Sequence, residues 1–145
     1  MLPRYHILLG LIFAGVLYLL SPGIGLFNLS LIFLSSFLID FDHYITGWQR
    51  TGSLSLKKIF EYHRKNNIKE KKEIARGIRK KSDFHLFHTI EFHALIGLLG
   101  IFWIGFFYIF VGMIFHSLTD LLSLTYKGRL HRREFFFFNW ISKRI

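Results

Sequence analysis

Three short stretches of this chain carry residue types that can hold a divalent cation: Asp40, Asp42 and His43; His88, Glu91 and His93; and His116 with Asp120. Each lies inside or beside a long apolar run. Ionisable side chains are expensive there, so their default reading is a functional site whose partners are one another. His116 and Asp120 stand four residues apart, about 40° around a helix, and can reach one ion or bond to each other. Asp40 and His43 share a helical face, with Asp42 turned away or freed where the helix ends. Acids at a helix C-terminus gain nothing from the dipole, which favours chemistry over a simple boundary marker. His88, Glu91 and His93 cannot all point one way from a single helix, so a helix start near Thr89 or Ile90 is expected, with His88 in the preceding loop. Glu91 is assigned as a further ligand or as the general base. His85 stays open between ligand and loop residue, whereas His6, His63 and His131 lack ligand spacing and read as surface histidines.

There is no cysteine, so thiolate zinc sites and disulfides are excluded and any metal binds through oxygen and imidazole. Of the 145 residues 52% are hydrophobic and 19% aromatic, and the mean hydropathy is +0.36. Residues 94–115 contain no charged or histidine side chain, while residues 45–84 hold twelve Lys or Arg against four acids. Such segregation marks a membrane protein rather than a soluble one. The net charge of +10 falls mainly in that loop and the tail, where the positive-inside rule already requires it, so nucleic acid is not expected as a partner.

The elements that must position these residues are four membrane spans, at about 5–20, 24–40, 84–103 and 106–125. Ser21-Pro22-Gly23 ends the first span. Residues 85–124 as one helix would be about 60 Å long, twice the hydrocarbon thickness, so the chain must fold back near Trp103-Ile104-Gly105. A single span at 94–115 is the competing arrangement, but it would put His93 and His116 at opposite faces. Four spans leave both termini and the 45–83 loop on the Lys/Arg-rich side, the cytoplasmic side of an inner membrane, with all three clusters in that half.

Within the loop, Leu56, Ile59, Phe60 and His63 follow helical spacing with Lys57, Lys58, Arg64 and Lys65 elsewhere, as in a helix lying on anionic lipid headgroups. Asn66-Asn67 is expected to break it before a weaker helix at 68–78. In the basic and aromatic tail, 126–145, Arg129, Arg132 and Arg133 read as an interfacial anchor or as a clamp for a substrate phosphate.

The motifs Asp40-Phe41-Asp42-His43, His88-Thr89-Ile90-Glu91-Phe92-His93-Ala94 and His116-Ser117-Leu118-Thr119-Asp120 resemble those of a family of small inner-membrane proteins described as predicted membrane-bound metal-dependent hydrolases, with a DxDH, HRxxTHS and HxxxD pattern. The likeness covers roughly residues 36–124. Thr89, Phe92 and Ala94 depart from the pattern, and a phosphate-holding task of the missing Arg would pass to Arg129, Arg132 or Lys127. The resemblance implies a hydrolase acting on a phosphoester or related bond of a lipid or membrane-adjacent substrate.

The expected protein is therefore all-α: four transmembrane helices and a basic amphipathic cytoplasmic insertion in one membrane domain. Asp40, Asp42, His43, His88, His93, His116 and Asp120 would hold one or two divalent ions, zinc first and manganese or magnesium next. Glu91 would be the base and Arg129, Arg132 and Arg133 would bind substrate. The alternative is a non-catalytic protein that handles metal or protons, or holds haem through His93 and His116.

Overall fold

The computed structural model describes residues 3–145, and among them there are helices and turns but no strand. Helices α1 (Pro3–Leu20), α2 (Leu26–Leu38), α3 (Phe41–Thr51), α4 (Leu56–Ala75), α5 (Ile90–Leu99), α6 (Ile104–Tyr126) and α7 (Phe137–Ser142) follow in order. Three stretches are long and apolar enough to cross a membrane: Pro3–Leu20, Leu26–Thr51 and Ile104–Tyr126. The second joins α2 to α3 through a tightened turn at Ile39 and Asp40, where Asp40, Asp42 and His43 each bond to a carbonyl three residues back.

The interior is polar and the exterior apolar. Among the described residues twelve polar or charged ones are buried against six hydrophobic ones, while Leu8, Leu11, Leu19, Leu98, Ile101 and Phe102 are exposed. That distribution suits hydrocarbon as solvent, because lipid tails are as apolar as leucine and give no drive to bury it. Helix packing then depends on close approach at small residues. Gly112 of α6 lies against the Ile32 carbonyl and Ser35 of α2, and Gly10 of α1 lies against Ser36 of α2.

The two hairpin turns, at 21–25 and 100–103, lie at one end of the bundle, where Phe27 and Trp103 are 6.5 Å apart. α5 differs from the expected 84–103 span. Thr89 caps it by accepting the Phe92 N–H at 3.3 Å, and the chain turns after Gly100, whose surface is pressed against Phe107. Its ten residues rise about 15 Å, half the hydrocarbon thickness, so α5 lines only the part of α6 nearer the 100–103 turn.

The basic loop also differs from expectation. Its first part continues as α3, which stops at Gly52 in the left-handed region at φ 63°. α4 then runs unbroken through Asn66-Asn67, because Asn67 turns its side-chain oxygen outward to Arg129 at 2.7 Å and does not compete for its own backbone. Ile59 is buried on Gly47 of α3, while Leu56 and Phe60 stay exposed.

A side chain at Gly112 would meet backbone, which cannot step aside, whereas one at Gly15 would meet nothing within 4 Å. Gly112→Val is expected to destabilise the protein in detergent by about 1–3 kcal/mol, read as a lowered Tm, and Gly15→Val to leave it unchanged. Equal Tm values for the two variants would refute this account of the α2–α6 contact.

Candidate metal centre

Four elements deliver side chains to one point near the middle of α6. His116, fully buried on α6, directs Nδ1 at the Ser36 carbonyl of α2 at 2.8 Å. A carbonyl only accepts, so Nδ1 carries the proton and Nε2 a lone pair. His88 sits in the 3-10 turn before α5, with Nδ1 2.9 Å from Asp42 Oδ2, and in the neutral ring a proton on Nδ1 gives Nε2 a lone pair. The two Nε2 atoms face each other at 3.1 Å, and Asp40 Oδ1 lies 3.5 Å from each.

Two lone pairs and a carboxylate oxygen converging in a buried place repel unless a positive charge lies between them. A tetrahedral ion with ligands about 2.0–2.1 Å away holds its donor atoms about 3.3 Å apart, close to the separations found. The residues present therefore fit a divalent cation. Asp40 stands one turn beyond Ser36, yet its carboxylate reaches back to the level of His116 because side chains lean toward a helix N-terminus.

Other groups surround the trio. The His6 ring stacks on His116 with centroids 3.9 Å apart, and its Nε2 lies 3.2 Å from Asp120 Oδ1. Asp120 Oδ2 accepts from Arg133 at 3.0 Å and lies 3.9 Å from His116 Nε2. His43 Nε2 lies 3.4 Å from Asp40 Oδ1. Four sets of donor atoms are close enough to share an ion: His6, Asp40 and His116; Asp40, His43 and His88; Asp42, His43 and His85; His88, His116 and Asp120. Burial pushes His85 down to about 4, with Asp42 opposing.

Several expected residues stand elsewhere. His93 belongs to none of these sets. Its Nδ1 donates to the Thr89 carbonyl one turn back at 2.8 Å and its Nε2 meets Ser117 Oγ at 2.9 Å, so both nitrogens are engaged and Nε2 ties α5 to α6. Haem ligation by His93 and His116 finds no support, since both His93 nitrogens are engaged and His116 Nε2 lies against His88. Glu91 is turned to α7, accepting the Phe137 and Phe138 N–H groups at 2.9 and 3.3 Å, and is not aimed at the trio as a base would be. Arg129 pairs with Glu70 and Arg132 with Glu73, so among the three arginines Arg133 is the one bonded to the cluster. Asp42 points inward, because α3 continues the second span instead of ending there.

His6 was not visible as a member from spacing, since its partners lie more than a hundred residues away. The available signal was an imidazole in the first turn of a membrane-length helix. His85 is resolved as a neighbour of Asp42, at 3.6 Å.

The chain matches no family model, no curated protein and no solved structure. What it presents is a helical protein with three membrane-length helices around buried His/Asp clusters that could hold a metal ion.

Glu70 is buried and also accepts from Ser82, so its pairing with Arg129 ties α4 to the tail. Glu70→Ala is expected to destabilise the protein by about 3 kcal/mol, as when one partner leaves a buried pair. Glu70→Leu with Arg129→Met should recover much of that loss. A Tm unchanged by Glu70→Ala would show that the pair does not hold α4 to the tail.

Proposed function

We propose that this protein is a metal-dependent hydrolase embedded in the inner membrane, acting on a phosphoester or related bond of a lipid-like substrate. The carrying observation is the convergence of His88 Nε2, His116 Nε2 and Asp40 Oδ1 at 3.1–3.5 Å. Resemblance of the Asp40–His43, His88–Ala94 and His116–Asp120 motifs to the predicted membrane hydrolase family supports the reaction class. A divalent ion held by the trio would supply Lewis acidity and activate water. His6 and Asp120, 3.2 Å apart, would take up the proton in place of the displaced Glu91, and Arg133 would fix the Asp120 carboxylate.

In this reading α5 and α6 form the second membrane hairpin, so α1, α2, α5 and α6 are the four spans, with α5 entering only partway. Both termini and the basic α4 region lie on the cytoplasmic side. Anionic lipid is the partner suggested by a cavity of about 700 Å³ lined by Arg50, Lys65, Lys69, Lys80 and Lys81 among others. An apolar groove of about 340 Å³ includes Ile39 and Phe87, next in sequence to Asp40 and His88, and suits an acyl chain. Zinc suits the imidazole-rich donors, with manganese or magnesium as alternatives. The 3.1 Å separation of the His88 and His116 Nε2 atoms also suits a second reading, in which a shared proton replaces the ion and the protein handles protons without catalysis.

The test is metal analysis of purified protein after dialysis against zinc or manganese, joined to release of phosphate from phospholipid micelles. Wild type, His93→Ala and Glu91→Gln should retain metal, while Asp40→Ala and His116→Ala should lose it together with chelator-sensitive hydrolysis. Metal content unchanged in both Asp40→Ala and His116→Ala would overturn the proposal. Folded wild type that takes up no metal would favour the proton reading instead.

A further inference from the structure

We infer that the protein holds a second divalent-cation centre, built from Asp42, His43 and His85, nearer the protein surface than the trio. The inference deepens the hydrolase reading and rests on it. The donor atoms of these three residues lie within 4.8 Å of one another. His85 Nδ1 is 3.6 Å from Asp42 Oδ1, and the His43 and His85 rings lie 3.8 Å apart between centroids.

An independent observation points to a ligand. Asp42 is 4% exposed, and its two oxygens are treated unequally. Oδ2 accepts the Phe87 N–H at 3.0 Å and the His88 ring at 2.9 Å, whereas Oδ1 is buried with no hydrogen-bond partner. A carboxylate oxygen is not left bare in a protein interior without cause. Thr46, the neutral donor closest to hand, has its hydroxyl 3.4 Å from the Phe84 carbonyl and 3.5 Å from His85 Nδ1, so it does not relieve Asp42. The chemistry that satisfies an anionic oxygen and a nearby imidazole nitrogen together is a cation of borderline hardness.

The position gives the second ion a purpose. The His43 side chain is 35% exposed while those of His88 and His116 are at most 1% exposed, so the new centre stands nearer the protein surface than the buried trio. Asp42 links the two, one oxygen orienting His88 and the other offered to the second ion. A pair of cations arranged this way can hold an attacking oxygen and a leaving oxygen of one phosphoester.

The experiment counts ions per chain in protein dialysed against zinc or manganese, measured by mass spectrometry, for wild type, His85→Ala, His85→Phe and His116→Ala. Helical circular dichroism and Tm establish folding. The expected result is that both His85 variants bind one ion fewer than wild type and that the ion they keep is the one lost in His116→Ala. A cobalt-substituted sample should lose one of two absorption components in the His85 variants. Full wild-type occupancy in both His85 variants, with loss only in His116→Ala, overturns the second centre and leaves the hydrolase reading standing. No ion in folded wild type overturns both. If His85→Ala does not fold, His85→Phe decides, since it keeps the ring volume and removes the donor.

Discussion

Everything in the bundle answers to one electrostatic constraint: His88 Nε2, His116 Nε2 and Asp40 Oδ1 are held within 3.1–3.5 Å of one another in the interior. No packing advantage explains this. Three apolar side chains would fill the space without desolvation cost, and buried ionic groups are often no more stable than well-packed hydrophobic ones. A divalent ion or a shared proton between these atoms would balance the arrangement. Arg133 supplies positive charge at Asp120, but its bond is to the outer side of the cluster and it does not enter the gap between the rings.

Holding the rings in that orientation sets the rest of the fold. His116 is fixed by the Ser36 carbonyl, so α2 and α6 must touch, and Gly112 permits the approach. His88 is fixed by Asp42, so the second span cannot stop at Asp40 but must continue as α3 to bring Asp42 inward. The same requirement shortens α5. Had its helix begun at residue 84, His88 would follow the helical screw and could not meet both Asp42 and His116. Thr89, in extended backbone and buried, ends the turn that aims His88 and begins the helix.

Helices α1, α2 and α6 follow the unbroken apolar runs bounded by Pro and Gly, a strong signal, whereas the continuation of the second apolar stretch through α3 to Thr51 was not read from the sequence. The sequence also anticipated His88 in a turn and Ile90 as a helix start, from the impossibility of aiming His88 and His93 one way. What escaped was long-range. His93 and His116 look alike as imidazoles on apolar helices, and only the carbonyl of Thr89 and the hydroxyl of Ser117 decide that His93 is consumed in bonding. Glu91 looked like a base beside histidines, yet it faces a helix start forty-six residues away. Asn66-Asn67 was read as a helix break, and its partner Arg129 is sixty-two residues distant. Propensity is a weak prior where such tertiary partners exist.

Exposure falls in a gradient across the cluster, from 35% at the His43 side chain through 14% at Asp40 to 0% at His116. His43 is therefore the most accessible of these three side chains, while the apolar groove includes Ile39 and Phe87. The exposed edge of the cluster is polar and the groove is apolar, and the chain joins the two directly, since Asp40 and His88 each follow a groove residue in sequence.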